Sequence, residues 1–288
     1  MLYTGIDWSN TNNAVCILNQ EKKIVKQFSV PNTATGVGTL VREIGDLNHP
    51  IGIETTNNII ARYLIGAGYA VSNIPPICAK RYGERLNVSG KKDDPHDAHT
   101  LALMMLENGE HFPSVSVPGE TCEKIRSYTN LQDKLTQDRT RNVNRLKSLL
   151  CGYFPAILQC FSRFDSSIPF QVLLGFDCNP LNALQMPRDD LRLKLSQVKG
   201  IRKNKVEEYC STLHENIISI GEGFAETQSL QATYLVENIL LIDKRLKSLD
   251  EKIQKLFETH KLSRVFASLP GAGPRLGPRL LAEFGDNK

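Results

Sequence analysis

The chain has 288 residues, 41% of them hydrophobic and 23% charged, with a formal net charge of +4. It is long enough for two ordinary domains and too apolar for a disordered or collagenous chain. No stretch approaches the ~20 apolar residues of a membrane-spanning helix, and the N-terminus lacks a basic region followed by an apolar one, so a cytoplasmic protein without a membrane partner is expected. Seven scattered cysteines with no C-x-x-C pair argue against a disulfide scaffold and against structural zinc.

In chain order, apolar and β-branched runs predict strands near 2–8, 13–19 and 23–30, followed by a helix near 36–47. A strand at 50–54, a helix at 57–67, a strand at 69–74 and helices near 77–86 and 94–108 complete this part. Short turns between the first three strands imply an antiparallel meander, whereas each later strand is followed by a helix and should pair in parallel. The fold class is therefore α/β with a mixed sheet. Prolines and a glycine at 111–119 mark a boundary. Beyond it, 120–152 reads as one long helix. Prolines 155, 169, 180 and 187 obscure the pattern to about residue 200. Leu235, Ile239, Ile242, Leu246, Leu249, Ile253 and Leu256 then follow alternating steps of four and three, the seam of a bundle or coiled-coil-type helix.

Asp7 ends the first strand and Glu54 ends the first strand after the opening helix, so one sheet delivers two acids to the same end. Lys91-Lys92-Asp93-Asp94-Pro95-His96-Asp97-Ala98 precedes the apolar run Leu101 to Leu106. Asp94 can cap that helix with Pro95 at its first position, and Asp97 follows three residues on. His96 reads as a solvated residue of the helix start. Clustered carboxylates repel one another unless a cation compensates, and hard oxygen donors suit magnesium or manganese. Two such ions would serve phosphoryl transfer on nucleic acid. Acids on the first strand, on the strand after the opening helix and on the closing helix resemble the pattern of ribonuclease H-like nucleases.

With these residues in place, the sequence resembles the DEDD transposases of the IS-one-ten insertion-sequence family, whose catalytic domain is similar to RuvC-type junction resolvases. The resemblance is carried by Gly5-Ile6-Asp7-Trp8-Ser9, Ile53-Glu54-Thr55-Thr56, Asn73-Ile74-Pro75-Pro76, Lys92 to Ala98, Asn142 to Pro155 and Leu269-Pro270-Gly271-Ala272-Gly273-Pro274. It implies that Asp7, Glu54, Asp94 and Asp97 form a tetrad holding two magnesium or manganese ions. Asp93 stands where the family has Thr or Ser, so an assignment shifted by one stays open, although the spacing of three favours Asp94. It also implies a DNA recombinase with a structured guide RNA as partner. The implied layout is a catalytic domain over 1–112, a helical linker or coiled-coil region over 113–260, and the start of a C-terminal, helix-hairpin-helix-like transposase domain over 261–288. The family's catalytic serine falls beyond Lys288, so a truncated product is expected, with recombination incomplete; Ser268 reads as a helix-end residue.

Between 121 and 150 there are seven basic residues against three acidic ones. Lys134, Arg141 and Arg145 fall near one helix face, with Lys147 close by in sequence, and such a stripe neutralises phosphates without reading bases. Arg264, Arg275 and Arg279 surround the Pro-Gly turn, where backbone amides can approach a phosphate. The helix after this turn is expected to be short and to lack packing partners, leaving the turn disordered. A homo-oligomer, a dimer or tetramer, fits a protein that must hold two DNA strands. Two competing readings are a junction endonuclease needing only the tetrad, and a nucleic-acid-binding protein without chemistry.

Overall fold

A computed structural model describes residues 1–86, 94–115 and 119–285, except for the side chains of Leu86 and Asp94. The chain divides into two units, Met1–Val117 and Pro118–Lys288.

The first unit opens with β1 (Tyr3–Asp7), β2 (Asn12–Leu18) and β3 (Ile24–Pro31), followed by α1 (Ala34–Ile44), β4 (Ile51–Ile53), α2 (Ile59–Gly66), β5 (Val71–Asn73), α3 (Pro76–Leu86) and α4 (Asp94–Asn108). The sheet order is β3-β2-β1-β4-β5. The first three strands pair antiparallel and β1-β4-β5 pair in parallel, as the turn lengths predict. β2 is buried almost throughout, on both faces, which is why its sequence is a continuous apolar run. Val15 and Ile17 join Ile6, Ile53, Leu40 and Leu64 on the face covered by α1 and α2. Ala14, Cys16 and Leu18 meet Ala98 and Ala102 of α4 on the other. β3 is the solvated edge, and Lys26 and Gln27 guard it against pairing with another strand.

Local chemistry sets the helix starts. Thr33 Oγ1 accepts from Gly36 N–H at 3.1 Å and Asn58 Oδ1 accepts from Ala61 N–H at 2.8 Å, capping α1 and α2. Gly45, with φ of 74°, stops α1 three residues before the expected end.

The second unit is built on α5 (Glu120–Tyr153) and α11 (Glu222–Thr259). They run antiparallel, because Gln132 donates to Asp250 at 2.6 Å and, one layer on, Arg139 bonds Asp243. Ala232, Val236, Ile239, Ile242, Leu249, Ile253 and Phe257 are among the buried residues of α11. The expected seam holds at Ile239, Ile242, Leu249 and Ile253, while Val236 and Phe257 go inward in place of Leu235 and Leu256, which with Leu246 are only half-buried. The stretch that proline obscured folds as α6 (Pro155–Cys160), α7 (Ser167–Gly175), α8 (Pro180–Gln185), α9 (Arg188–Gln197) and α10 (Lys203–Asn216), around Phe154, Phe170 and Phe176. Pro155 and Pro180 stand at helix starts, where a missing N–H costs nothing.

The Pro-Gly segment joins α12 (Ser263–Ala267) to α13 (Leu276–Phe284) through Gly271, whose φ is 77°. It does not lack packing partners: Leu281 and Ala282 are buried with Cys122, Ile125, Ile253 and Phe257, so this segment folds within the second unit. No helix among the described residues is long and apolar enough to cross a membrane.

Candidate functional site

Register builds the acidic site from the strands upward. β1 and β4 are parallel neighbours with Ile6 opposite Ile53, so Asp7, the last residue of β1, and Glu54, the residue directly after β4, follow at the C-terminal ends of adjoining strands. A Cβ placed on Gly5 would lie 2.1 Å from Ala98 O and 2.3 Å from Ala102 N, so α4 rests directly on β1 there. Side chains alternate between faces. Gly5 and Asp7 therefore share the α4 face, while Ile6 packs into the α1/α2 core. Gly52, opposite Gly5, likewise faces Met105 of α4. Asp97 stands one residue before buried Ala98 and four before buried Leu101, so it continues the sheet-facing stripe of α4.

Asp7, Glu54 and Asp97 are each half-buried. Asp94 is the first residue of α4. Its side chain and all of Asp93 lie outside the described residues. Among the described residues no group of three His, Cys, Asp or Glu side chains is assembled closely enough to hold a metal ion. Oxygen-only donors remain the right chemistry for magnesium or manganese.

His96 departs from expectation. Among the described residues its Nε2 is buried without a hydrogen-bond partner, as is Nε1 of Trp8, next to Asp7 in sequence, so neither is a simple solvated surface group. Burial, and then the neighbouring His96, hold His99 below the usual imidazole range.

The basic residues fall into separate groups. Lys134, Arg141 and Arg145 are exposed along one face of α5, and Arg141 pairs with Asp138 of its own helix. Lys147, two residues past Arg145, is on the other side and half-buried. Arg264 is exposed on α12. Arg275 reaches Asp250 at 3.4 Å, and Arg279 pairs with Asp133. Those two arginines thus help tie the C-terminal segment to α11 and α5. Sequence reasoning missed Arg245 and Asn238 of α11, which face Arg141 and Arg145 across a cavity. Their seven-residue spacing was visible, but only the α5–α11 pairing reveals what they face.

A mixed α/β sheet with carboxylates at adjoining strand ends beneath a crossing helix defines the class of protein. Residues 4–155 match the transposase model of the DEDD family of IS110 elements. This chain belongs to that family. It is 26% identical to a mini-circle putative transposase for IS117 from Streptomyces coelicolor, over all of this chain and 72% of that protein. An uncharacterized IS116 insertion-element protein from Streptomyces clavuligerus is 24% identical, over 99% of this chain and 71% of its own length. An uncharacterized IS900 protein from Mycobacterium paratuberculosis is 20% identical over 99% and 72% respectively.

Proposed function

We propose that this protein is an insertion-sequence transposase that cuts and exchanges DNA strands, with Asp7, Glu54, Asp94 and Asp97 as its metal-holding residues on a ribonuclease H-like sheet. One observation carries the reading: β1 ends in Asp7 on the face that α4 crosses, Glu54 directly follows the adjoining parallel strand β4, and Asp94 and Asp97 lie in the first turn of that helix. The relatives named as a transposase and as insertion-element proteins support the same reading. Asp7 and Glu54 supply oxygens from the rigid sheet, and Asp94 and Asp97 supply them from the helix. Magnesium or manganese bound there would polarise the phosphodiester and stabilise charge on the attacking and departing oxygens. Trp8 and His96, each with a buried polar atom lacking a partner among the described residues, flank two of these acids in sequence. The partners that follow are DNA, a structured guide RNA and further copies of the chain, in the cytosol where the element's DNA resides. The basic residues Lys134, Arg141, Arg145, Lys147 and Arg264 contribute phosphate contacts, while Arg275 and Arg279 contribute only as far as their ion pairs release them.

The test is manganese binding by calorimetry together with cleavage of DNA bearing the element's end. Asp7→Asn and Asp97→Asn should each weaken binding at least about tenfold and abolish cleavage, since each removes a charged oxygen ligand. Unchanged manganese affinity in both variants would falsify the metal assignment. Retained nucleic-acid binding with no cleavage by the wild type under any divalent ion would leave a binding protein without chemistry.

A further inference from the structure

Midway along the α5–α11 pair the helices flank a cavity of about 610 Å³. Asp138, Arg141, Asn142 and Arg145 line it from α5, and Asn238 and Arg245 from α11. Each set follows helical spacing, so both present successive turns to one groove, about 6 Å apart for residues four apart.

The charges in this groove are not balanced internally. Elsewhere along the pair polar groups are answered across the helices, as Arg139 is by Asp243 and Gln132 by Asp250. Inside the groove Asp138 answers Arg141 alone. Among the described residues neither Arg145 nor Arg245 has a carboxylate partner, and neither Asn142 nor Asn238 makes a side-chain hydrogen bond. Three guanidinium groups facing one carboxylate repel one another, and an anion between them relieves that repulsion. Guanidinium forks match phosphate oxygens two at a time, and asparagine amides donate to phosphate and sugar oxygens. Arg141, Arg145, Asn238 and Arg245 are exposed, so a long polyanion can lie along them.

We propose that this groove seats a phosphodiester backbone, gripping consecutive phosphates of a nucleic-acid strand from both helices without reading bases, with Arg245 and Asn238 of α11 as integral parts. The inference rests on the transposase reading for its partner class, and it extends the α5 stripe to a two-helix site.

Binding of the full chain to two probes, a duplex DNA of about two helical turns and an RNA hairpin of similar length, should be followed by fluorescence anisotropy across a salt series. Arg145→Ala combined with Arg245→Ala should weaken at least one probe about tenfold or more and flatten the salt dependence by about one unit of slope per arginine. Arg145→Lys with Arg245→Lys should restore the slope but not the full affinity, and Lys244→Ala, an exposed neighbour of Arg245, should stay within about twofold of wild type. A larger loss on RNA than on DNA assigns the strand to RNA, and the reverse assigns it to DNA. Wild-type affinity and slope in the double alanine variant, with its melting temperature unchanged, overturn the proposal. So does a loss no greater than that of Lys244→Ala. Manganese affinity should stay at the wild-type level in the Arg145→Ala, Arg245→Ala variant, so failure of the groove and failure of the acidic site read out separately.

Discussion

Replacing Gly5 by alanine tests the geometry on which the acidic site depends. Gly5 has no positive φ, so its backbone alone does not require glycine. In open space the change would stabilise by about 0.5–1 kcal/mol, because alanine loses less freedom on folding. Here the new methyl meets Ala98 O at 2.1 Å, Ala102 N at 2.3 Å and Leu101 Cβ at 2.9 Å. The first two are backbone atoms and cannot rotate aside, so α4 must retreat by about 1 Å, a gap that forfeits a quarter to a half of each contact's attraction. Ala98, Leu101, Ala102 and Met105, all almost fully buried, share the loss. The expected net cost is about 2–3 kcal/mol. Gly52→Ala is the control. Its methyl meets Met105 Cγ at 2.6 Å and Ile74 Cδ1 at 2.7 Å, side-chain atoms that can yield, for about 1 kcal/mol. Two units need not unfold together, so a global melt is the wrong observable. Native-state hydrogen exchange of the α4 amides reads the local cost. Gly5→Ala should also weaken manganese binding, since α4 carries Asp97. Wild-type protection of α4 in Gly5→Ala, or a larger loss in Gly52→Ala, refutes the close approach.

Two further outcomes follow from polar contacts. Arg139 grips Asp243 through Nε at 2.5 Å and Nη2 at 3.2 Å, with both side chains mostly buried. Arg139→Met should cost about 1–3 kcal/mol, read by native-state hydrogen exchange of the α5 and α11 amides, by stranding Asp243, and adding Asp243→Leu should recover most of it; strictly additive effects would show that the two are not coupled. Glu107 is held below the usual carboxylate range by Lys22 and then by the Tyr82 hydroxyl, while burial and that same bond push Tyr82 up to about 12. A lowered folded-state value means that Glu107 stabilises the first unit above the unfolded carboxylate range of about 4.3 and loses that contribution as pH falls through the folded value. Glu107→Gln should therefore lower stability at neutral pH and flatten its acid loss, and an unchanged acid profile would show that the contact contributes nothing.

The order of elements in the first unit was legible because apolar and β-branched runs alternate with short turns and helical periodicity, whereas the helix boundaries set by Thr33, Asn58 and Gly45 became clear only in the structure. The 120–153 and 222–259 helices were legible in part, one by its long apolar periodicity and the other by its seam over 235–256. The short helices between them were not, since prolines interrupt the periodicity and the buried residues, such as Phe154, Phe170 and Phe176, are chosen by contacts distant in sequence. His96 was misread for the same reason: its position in α4 looks solvent-facing locally, yet its Nε2 is covered.

By itself the sequence determined the strands and helices of the first unit and the two long helices of the second, that Asp7 ends a strand and Glu54 follows one, and that Asp97 falls in the first turn of a helix. Those properties depend on neighbours a few residues away, where turn chemistry and side-chain period act. Only the tertiary structure decided that β1 and β4 adjoin with Ile6 opposite Ile53, that α4 crosses Gly5, and that Arg245 faces Arg145. Register and helix pairing are fixed by burying apolar surface between segments tens to a hundred residues apart, which no local pattern records.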